Sequence, residues 1–423
     1  MTKKSIFIGF TTIGYVGIAL KKGLKERGYF AEFYSLDETL PLPKKLNFVK
    51  FIRLYRYKYI VKNRKLHFVY RVLYELFMCI FFIYTLCKFD AFIFIFAQRT
   101  FLYNNIDLKI LKMLKKKIIV IEMGSDVRPP YIDGAFFFKS TLEKIYKETI
   151  KKKKLVEQIE KYADYILSEP SMAVFHKKEF IKISSIGLPR IREEYKISNY
   201  DNFNKNYIRI VHAPSNLEVK GTFFIRSIID RLKKKFLLKN IIIEYIELNG
   251  LEHEKVIEIM GTADIVVDQA YADIPFSGCA YEAALLKKPV VIGGEYSNFI
   301  KNDYKDTEIF PSLYIQPQDM EKIIENLILD NNKRVYYGNK AYDFVNSKWE
   351  YSKVIDNYIN IINDNVNKNW FYNPDKLGYY YGGFAPIIKI KNLIKELVKN
   401  YGEFSLQVDD KSNIKNEYLS LLK

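Results

Sequence analysis

Residues 208–222, IRIVHAPSNLEVKGT, are expected to form a buried strand, a polar loop and the first turn of a helix. The apolar run at 208–213 predicts the strand, and the apolar spacing at 221–235 predicts the helix. The free N–H groups of a helix N-terminus and a nearby ammonium together favour an anion such as a diphosphate. We therefore predict an anion-binding loop in which Lys220 supplies the charge and Gly221 allows close approach of the backbone.

The alternation of strands and helices continues on both sides of this segment. Strands that alternate with helices favour parallel sheets covered on both faces, and such sheets bind ligands at the carboxyl ends of their strands. We predict an α/β fold made of two Rossmann-like, doubly wound domains that face a cleft. Apolar runs predict further strands at 4–10, 31–35, 91–96, 117–122, 164–167, 241–246, 265–268 and 289–293.

The segment 187–206 is the best candidate for the boundary between the two domains. It contains Pro189, charges of both signs and no clear period, which are features of a connecting segment. The predicted units are an N-terminal domain at 1–188, a second doubly wound domain at 207–346, a helix at 347–368, and a C-terminal tail at 369–423 to which the sequence assigns no role.

Further polar residues follow the strand predicted at 265–268. ADIVVDQ at 263–269 ends in Asp268, and SGCAYEAALLKKPVVI at 277–292 gives a glycine-containing turn, a helix with Glu282 and a buried strand. An acid one turn into a helix can accept hydrogen bonds from both ribose hydroxyls, while the N–H groups at the helix start face a phosphate or sugar. This pattern favours a nucleotide-bearing substrate.

These segments resemble the donor domain of GT-B glycosyltransferases of the bacterial polysaccharide type, the group 1-like or family 4 enzymes. The resemblance rests on HAPSN…KGT, ADIVVDQ and G…EAALLKKPVVI, supported by KFDAFIFIF, GSDVR and SKWEYSKVIDNYI. It covers about 89–362 and is most specific at 212–292. It implies a nucleoside-diphosphate sugar as co-substrate with no further cofactor, retention of anomeric configuration, and a helix near Trp349 that crosses back onto the N-terminal domain.

The resemblance also implies roles for individual residues. Lys220 would bind the donor diphosphate and Glu282 the ribose, and the segment 246–250, which contains Glu247, would hold the base. The catalytic candidates are Asp126 and Arg128, which would face the acceptor cleft, and His212. The other substrate-binding candidates are Gly14, Ser215, Gly221, Thr222, Asp268, Ser277 and Gly278.

Three positions depart from the family pattern. Ile274 stands where a second acid would lie eight residues before Glu282, and Lys287 stands where the family has a glycine before Lys-Pro. Leu217 lies in the loop between His212 and Lys220, where many relatives carry an arginine. These departures leave the donor sugar open and keep an inactive scaffold subunit as an alternative to an active enzyme.

Positive charge is concentrated near the N-terminus. The chain has a formal net charge of +18, and residues 44–71 contain ten Lys and Arg residues without any acid. A basic and aromatic segment of this kind favours an anionic membrane surface, which predicts a peripheral enzyme at the inner face of the plasma membrane with a saccharide or lipid-linked acceptor. The alternative is a solvated face of the long helix that the pattern predicts at about 48–86. Nucleic-acid binding is not favoured, because the basic residues cluster in one segment and no nucleic-acid motif accompanies them.

The remaining composition fits a cytoplasmic protein. The three cysteines form no CxxC pair and the four histidines lack ligand spacing, so neither a disulfide framework nor a metal site is predicted. The N-terminus lacks the features of a secretion signal, and the longest apolar run, 76–87, is shorter than the roughly 20 residues that span a bilayer. A nucleotide-sugar epimerase would need catalytic carboxylates and histidines in the cleft, where the sequence offers few.

Overall fold

Two parallel sheets organise the residues that the computed structural model describes, which are 3–11, 13–36, 64–98, 100–191 and 206–422. The strands are β1 (Ile6–Phe10), β2 (Ala31–Ser35), β3 (Ala91–Ile95), β4 (Lys117–Ile121), β5 (Tyr165–Ser168), β6 (Phe180–Lys182), β7 (Tyr207–His212), β8 (Ile242–Glu247), β9 (Ile265–Gln269), β10 (Val290–Gly293), β11 (Leu313–Ile315) and β12 (Phe371–Tyr372).

The strand order of each sheet reverses at one point. The first sheet runs β12-β6-β5-β4-β3-β1-β2 and is parallel except for β12, and the second runs β11-β10-β9-β7-β8 and is parallel throughout. The reversal lies between β1 and β3 in the first sheet and between β7 and β9 in the second. Doubly wound sheets bind ligands in the crevice at such a switch point, outside the carboxyl ends of the strands.

Helices cover both sheets and are numbered here along the chain. They are α1 (Val16–Glu26), α2 (Arg64–Lys88), α3 (Ile106–Met113), α4 (Gly134–Phe137), α5 (Leu142–Tyr162), α6 (Ile183–Ile186), α7 (Thr222–Leu237), α8 (His253–Gly261), α9 (Gly278–Leu285), α10 (Ile300–Asp303), α11 (Met320–Leu329), α12 (Asn331–Ser347), α13 (Tyr351–Ile362), α14 (Ile387–Tyr401) and α15 (Ser412–Ser420).

The central strands are buried on both faces because their sequences are continuous apolar runs. The strands β1 (IFIGF) and β3 (AFIFI) are buried at every position. Around Phe7 the core is aromatic, with the rings of Phe10, Phe92 and Phe101 between 4.9 and 5.5 Å from it. Parallel strands under helices are expected to have this pattern rather than an alternation of apolar and polar residues.

Helix α13 lies on the N-terminal part of the chain. The hydroxyl of Tyr351 donates to the carbonyl of Ala19 in α1 at 2.9 Å, and the indole N–H of Trp349, just before α13, donates to the carbonyl of Ser184 in α6 at 3.2 Å. Its buried residues include Val354, Ile355 and Tyr358. The chain therefore returns from the second sheet to the first.

The C-terminal tail contacts both halves of the molecule. Strand β12 pairs antiparallel with β6 at the edge of the first sheet. Between β12 and α14, the carbonyl of Gly383 accepts from the N–H of Gly134, and the N–H of Phe384 donates to the carbonyl of Tyr271. Gly134 begins α4, between β4 and β5 of the first sheet, and Tyr271 follows β9 of the second sheet. The segment 382–384 therefore lies between the two domains.

The predicted α/β class with two Rossmann-like domains is confirmed, and most predicted strands agree with the observed ones to within about two residues. The sequence did not predict β6, β11 or β12, which have only two or three residues each and therefore show no readable period. The helix predicted at 48–86 is observed from Arg64 to Lys88, and positions 48–63 lie outside the described residues.

Candidate active site at the sheet edges

Lys220 and Asp268 meet at the switch point of the second sheet. Lys220 follows β7 and Asp268 lies in β9, which are neighbours in the sheet. The ammonium of Lys220 donates to Oδ1 of Asp268 at 2.8 Å, and the Asp268 side chain is fully buried. Among the described residues, Oδ2 of Asp268 has no hydrogen-bond partner. An ammonium has three donors, so Lys220 can keep this bond and still bind a phosphate oxygen.

The backbone N–H groups at the end of the loop before α7 are hydrogen-bonded within the loop itself. The N–H groups of Lys220, Gly221 and Thr222 donate to carbonyls at 216–218. Gly221 has φ 67°, and a Cβ at this position would lie 2.7 Å from the Cβ of Ala270. Gly221 therefore permits a close approach to Ala270, the residue after β9, and its predicted approach to a ligand remains a prediction. The same loop exposes Ser215 to solvent.

His212 lies at the end of β7 with both ring nitrogens engaged inside the domain. Its Nδ1–H donates to the carbonyl of Val267 at 2.8 Å, so the neutral ring accepts at Nε2 from the Thr222 hydroxyl at 2.9 Å. Burial lowers the pKa of His212, against the opposing effect of the bond to Val267. In this geometry the neutral ring of His212 joins β7 to β9 through Val267 and to α7 through Thr222. The hydroxyl of Thr222 is occupied by this bond. A catalytic role for His212 and a substrate-binding role for Thr222 remain predictions.

Helix α9 begins beside a guanidinium that the sequence analysis did not consider. The hydroxyl of Ser277 caps the helix by accepting from the N–H of Ala280 at 3.1 Å. A Cβ on Gly278 would lie 3.4 Å from a terminal nitrogen of Arg190, and the guanidinium of Arg190 lies 5.2 Å from the ring centre of Tyr281. A cation at a helix N-terminus opposes the helix dipole, whereas an anion held between them is favoured by both.

Glu282 is oriented by a histidine from the preceding helix. His253, the first residue of α8, donates from Nε2 to Oε1 of Glu282 at 2.9 Å, and the Glu282 side chain is 18% exposed. The charges of Asp268, Lys220 and Glu282 all act on the thiol of Cys279, whose pKa is raised first by burial and then by Asp268. The three charged groups therefore lie near Cys279 at one edge of the sheet.

Glu247, at the end of β8, is held by an arginine. Its two carboxylate oxygens accept from Arg226 of α7 at 2.6 and 2.9 Å. The bond from Arg226 lowers the pKa of Glu247, against the effect of burial. This fixed carboxylate lies within the segment 246–250, where the resemblance places the nucleobase.

The edge of the first sheet carries Asp126, which closes the loop after β4. Its carboxylate accepts from the N–H groups of Ala97 at 2.8 Å and of Met123 at 3.0 Å. Burial raises the pKa of Asp126 to about 6, and the negative charge of Glu122 acts in the same direction. Gly14 lies at the same edge, in the 3-10 turn Ile13–Tyr15 that follows β1.

Arg128 pairs with two aspartates under the C-terminal tail. Its guanidinium donates to Asp273, which follows β9, and lies 3.4 Å from Oδ1 of Asp133. All three side chains are fully buried. The ring of Phe384 stacks 5.0 Å from the guanidinium. Arg128 therefore joins the two halves of the molecule and does not face open space, which differs from the position in the acceptor cleft that the sequence predicts.

A buried carboxyl, that of Glu169, also joins the two halves of the molecule. Glu169, just after β5, accepts from the N–H of Ser184 at 2.6 Å and from the hydroxyl of Tyr304, which follows α10. Burial raises the pKa of Glu169 to about 7, against the effect of these hydrogen bonds. Nearby, Lys182 of β6 bonds Glu308 at 2.6 Å.

The comparisons with known proteins agree with this architecture. No family model matches the chain. Over 302 residues it is 25% identical to an uncharacterized glycosyltransferase of Methanocaldococcus jannaschii, a match that covers 61% of this chain and 70% of that protein. Among solved structures, Anabaena HepE in complex with UDP-glucose matches with a TM-score of 0.49 and 11% identity, over 85% of this chain and 99% of that one. The glycosyltransferase WaaG, involved in lipopolysaccharide biosynthesis, matches with a TM-score of 0.43 and 10% identity, again over 85% and 99%.

The fold is GT-B. The similarity to the glycosyltransferase of Methanocaldococcus jannaschii confirms the resemblance to glycosyltransferases that the sequence predicts, while membership of family 4 and a retaining outcome stay predictions. Within this GT-B fold the substrate-binding candidates of the second domain lie along one sheet edge, and the paired residues there are Lys220 with Asp268 and His253 with Glu282.

The structure adds four residues to the site that the sequence analysis did not select, namely Arg190, His253, Glu169 and Asp273. Arg190 lies in the segment chosen as the domain boundary, where no period marks it. His253 could have been selected from the sequence, because it begins the helix that follows β8, and residues just after strand ends line the ligand-binding edge. Asp273 and Glu169 act through partners far away in sequence.

The described residues were also considered as possible metal ligands and membrane spans. In those ranges, no group of three or more His, Cys, Asp or Glu side chains is arranged to hold a metal ion. Nor does any helix in the described part combine the length and apolar character needed to cross a bilayer.

Proposed function

We propose that this protein is a glycosyltransferase that moves a sugar from a nucleoside-diphosphate donor to a saccharide or lipid-linked acceptor. The observation that carries the proposal is the grouping of Lys220, Asp268 and Glu282 near Cys279 at the switch point of the second sheet. That position is where doubly wound domains bind nucleotides. The similarity to an archaeal glycosyltransferase supports the same class of reaction.

Each part of the donor has a partner of matching chemistry at this edge. Lys220 and Arg190 would bind the two phosphates, together with the N–H groups at the start of α9. Glu282, oriented by His253, would accept hydrogen bonds from the ribose hydroxyls. The buried and unpaired Oδ2 of Asp268 is an acceptor for a further hydroxyl or for an ammonium that has shifted toward the phosphates.

The same cations would stabilise the departing diphosphate. Charge develops on the leaving group while the sugar gains oxocarbenium character, so fixed cations and amides at that position lower the barrier. We propose that transfer is independent of metal and retains the anomeric configuration. Activity that is abolished by EDTA and restored by a divalent cation would contradict the first statement, and a product of inverted configuration by NMR would contradict the second.

We also propose a role in surface polysaccharide synthesis at the inner face of the plasma membrane. The support is the basic segment 44–71, of which 44–63 lie outside the described residues and 64–71 begin α2. Lysines and arginines near an anionic leaflet contribute roughly 1 kcal/mol each to binding. A protein that remains unbound to anionic vesicles at low salt would remove this part of the proposal.

The first experiment is calorimetric titration with UDP, GDP and ADP and with their sugars. One nucleotide should bind selectively, and its 2′-deoxy analogue should bind more weakly because Glu282 loses a hydroxyl partner. Glu282→Gln should abolish the difference between the two nucleotides. Glu258→Gln on the exposed side of α8 is the matched control, since Glu258 bonds only to Lys255 among the contacts seen. Absence of binding by every nucleotide would overturn the proposal.

One observation favours the alternative of an inactive scaffold subunit. Lys220 is already paired with Asp268, and the tail segment 382–384 fills space between the two domains. A scaffold would bind a nucleotide without turning over its sugar. Release of nucleoside diphosphate from the selected donor, measured with an extract of candidate acceptors and absent in Lys220→Met, distinguishes the enzyme from the scaffold.

A further inference from the structure

Helix α2 has one face in the core and the other in solvent. Its inner face buries Met78, Phe82 and Thr85, and Phe81 packs 6.3 Å from the ring of Phe7. Its outer face carries a second set of apolar residues, each 43–67% exposed. These are Val69, Val72, Leu73, Leu76, Ile80, Ile83 and Tyr84.

The exposed residues form one continuous stripe. Their spacing of three and four places them within about 120° of one another on a helix that turns 100° per residue. The exposed thiol of Cys87 lies on the same line as Val69, and that of Cys79 lies at the edge of the stripe. From 69 to 87 the stripe is about 27 Å long. The charged residues of this span, Arg71 and Glu75, fall outside it by helical position.

An apolar stripe of this size on a soluble protein marks a binding surface. The chemistry of the partner follows from the chain just before it. The sequence at 44–71 has ten basic residues and no acid, and Arg64 and Lys65 begin α2 itself, so a partner of this helix should be negatively charged. A second copy of this chain would bring two such basic segments together. A partner that is apolar and bordered by negative charge would complement both the stripe and the basic sequence. A bilayer that contains acidic lipids has this character.

We propose that the outer face of α2 lies in the plane of an anionic membrane and inserts its apolar stripe between the lipids. Because none of the described helices can cross a bilayer, α2 would rest at the interface rather than span it. The stripe belongs to the first domain, which is the acceptor side in the proposed function. The inference rests on the membrane part of the proposed function and deepens it by naming the apolar surface that inserts, and it requires no nucleotide.

The first test is flotation of the full-length protein with vesicles of phosphatidylcholine alone or with 30% phosphatidylglycerol, on the order of the anionic content of bacterial membranes. Binding should require the anionic lipid. Leu76→Asp and Ile80→Asp should each lower the bound fraction at least about tenfold, because each places a charge in the apolar layer. Leu238→Asp, at a position 89% exposed at the end of α7, is the matched control and should bind like the wild type.

The native cysteines allow a second test at the stripe itself. Cys87 can be labelled with an environment-sensitive fluorophore in a Cys79→Ser background, while Cys279 reacts poorly because burial raises its thiol pKa. With anionic vesicles the emission should shift to the blue and become protected from a water-soluble quencher. A fluorophore at Leu238→Cys in the Cys79→Ser, Cys87→Ser background should show neither change.

Three results would overturn the inference. The first is no flotation with anionic vesicles at low salt, and the second is flotation that Leu76→Asp and Ile80→Asp leave unchanged. The third is a dimer in light scattering that Ile80→Asp dissociates, with no vesicle binding, because the stripe would then cover a second copy. Nucleotide titration of the same variants separates these outcomes from a failure of the proposed function, since α2 lies outside the nucleotide site.

Discussion

The two sheets present their charged edges in opposite ways. At the first sheet Asp126, Arg128 and Glu169 are fully buried, and each is bonded within the protein. At the second sheet the side chains of Lys220 and Glu282 are 15% and 18% exposed, and the bonded partners seen are Asp268 for Lys220 and His253 for Glu282. Both edges follow the carboxyl ends of parallel strands, so topology alone does not separate them.

The difference indicates two uses of the same topological position. Buried charged groups recover their desolvation cost only with close partners. Here Arg128 has Asp273 and Glu169 has the hydroxyl of Tyr304 as a partner in the second domain. The first edge therefore holds the two domains in one arrangement. The second edge keeps donors and acceptors that a ligand can reach. If this division is correct, substitutions at the first edge should change stability, and substitutions at the second should change nucleotide binding.

The largest effect is expected for Arg128→Met. Removing the guanidinium leaves Asp133 and Asp273 as buried carboxylates without their cation, and losing one partner of a buried pair costs about 3–5 kcal/mol of unfolding free energy. Urea unfolding measures the loss. Arg27→Met is the control, because Arg27 pairs with Asp356 near the surface and should contribute less than about 1 kcal/mol. Loss of nucleotide binding at unchanged stability would instead place Arg128 in the substrate site.

The next effect is a pH dependence from Glu169. Its pKa is about 7 in the folded protein against 4.5 for the free side chain, so the folded state binds the proton more tightly. The stability that this proton provides is complete below pH 4.5 and is lost as the pH rises through 7, by about 3 kcal/mol in all. Glu169→Gln should remove this dependence.

The measurement for Glu169 is the difference in unfolding free energy between the variant and the wild type at pH 5 and pH 8. This difference should move in favour of the variant at the higher pH. Glu308→Gln is the control: against the effect of burial, the bond from Lys182 lowers the pKa of Glu308, so Glu308 stays ionised from pH 5 to pH 8 and its variant should show a difference that does not change with pH. A difference for Glu169→Gln that stays constant with pH would mean that Glu169 is ionised in the folded protein.

The residues at the edge of the second sheet could be predicted from the sequence, because each one directly follows or ends an apolar run that predicts a strand. Lys220 and Asp268 follow apolar runs that form adjacent parallel strands, and residues at adjacent strand ends must meet. The pairing partner of each was not predicted, but their presence at one edge was. The same local logic gave β3 and β4, whose continuous apolar runs are typical of buried parallel strands.

The first edge could not be predicted, because its partners are distant in sequence. Arg128 and Asp273 are separated by 145 residues, and Glu169 and Tyr304 by 135. Such pairs depend on how two complete domains pack together, which leaves no periodic signal. For the same reason His212 was selected as a catalytic candidate, although its hydrogen bonds to Val267 and Thr222 are visible only in three dimensions.

A smaller effect, on binding rather than stability, is expected for Lys220→Met. A hydrogen bond to a charged group contributes about 1.5–3 kcal/mol, so nucleotide affinity should fall roughly tenfold to a hundredfold. Calorimetric titration with the selected nucleotide measures it. The double variant Lys220→Met, Asp268→Asn removes the buried charge that the single variant leaves unpaired, and it should recover stability but not affinity.

Lys235→Met provides the matched control for Lys220. Lys235 lies near the end of α7, the helix that follows the loop of Lys220, and bonds Glu325 at the surface far from the sheet edge. It should leave nucleotide affinity unchanged. If Lys220→Met also binds as the wild type does, the ammonium serves only to neutralise Asp268, and the diphosphate site lies elsewhere.

The smallest effect is expected for Arg190→Gln, which should lower affinity about tenfold if the guanidinium binds one phosphate. Arg231→Gln is the control, because Arg231 bonds Glu321 on the outer surface of the second domain. Arg190→Lys keeps a positive charge and should recover part of the loss.

The decisive comparison for Arg190 uses the diphosphate and the corresponding nucleoside. Because Arg190 also stacks on Tyr281, a purely structural role would weaken both ligands equally by disturbing the start of α9. A phosphate contact would weaken the diphosphate alone, and the loss would shrink as salt is raised, since partly exposed charges are screened. Equal loss for both ligands would assign Arg190 to the support of α9, and Lys220 would then be the principal cation of the donor site.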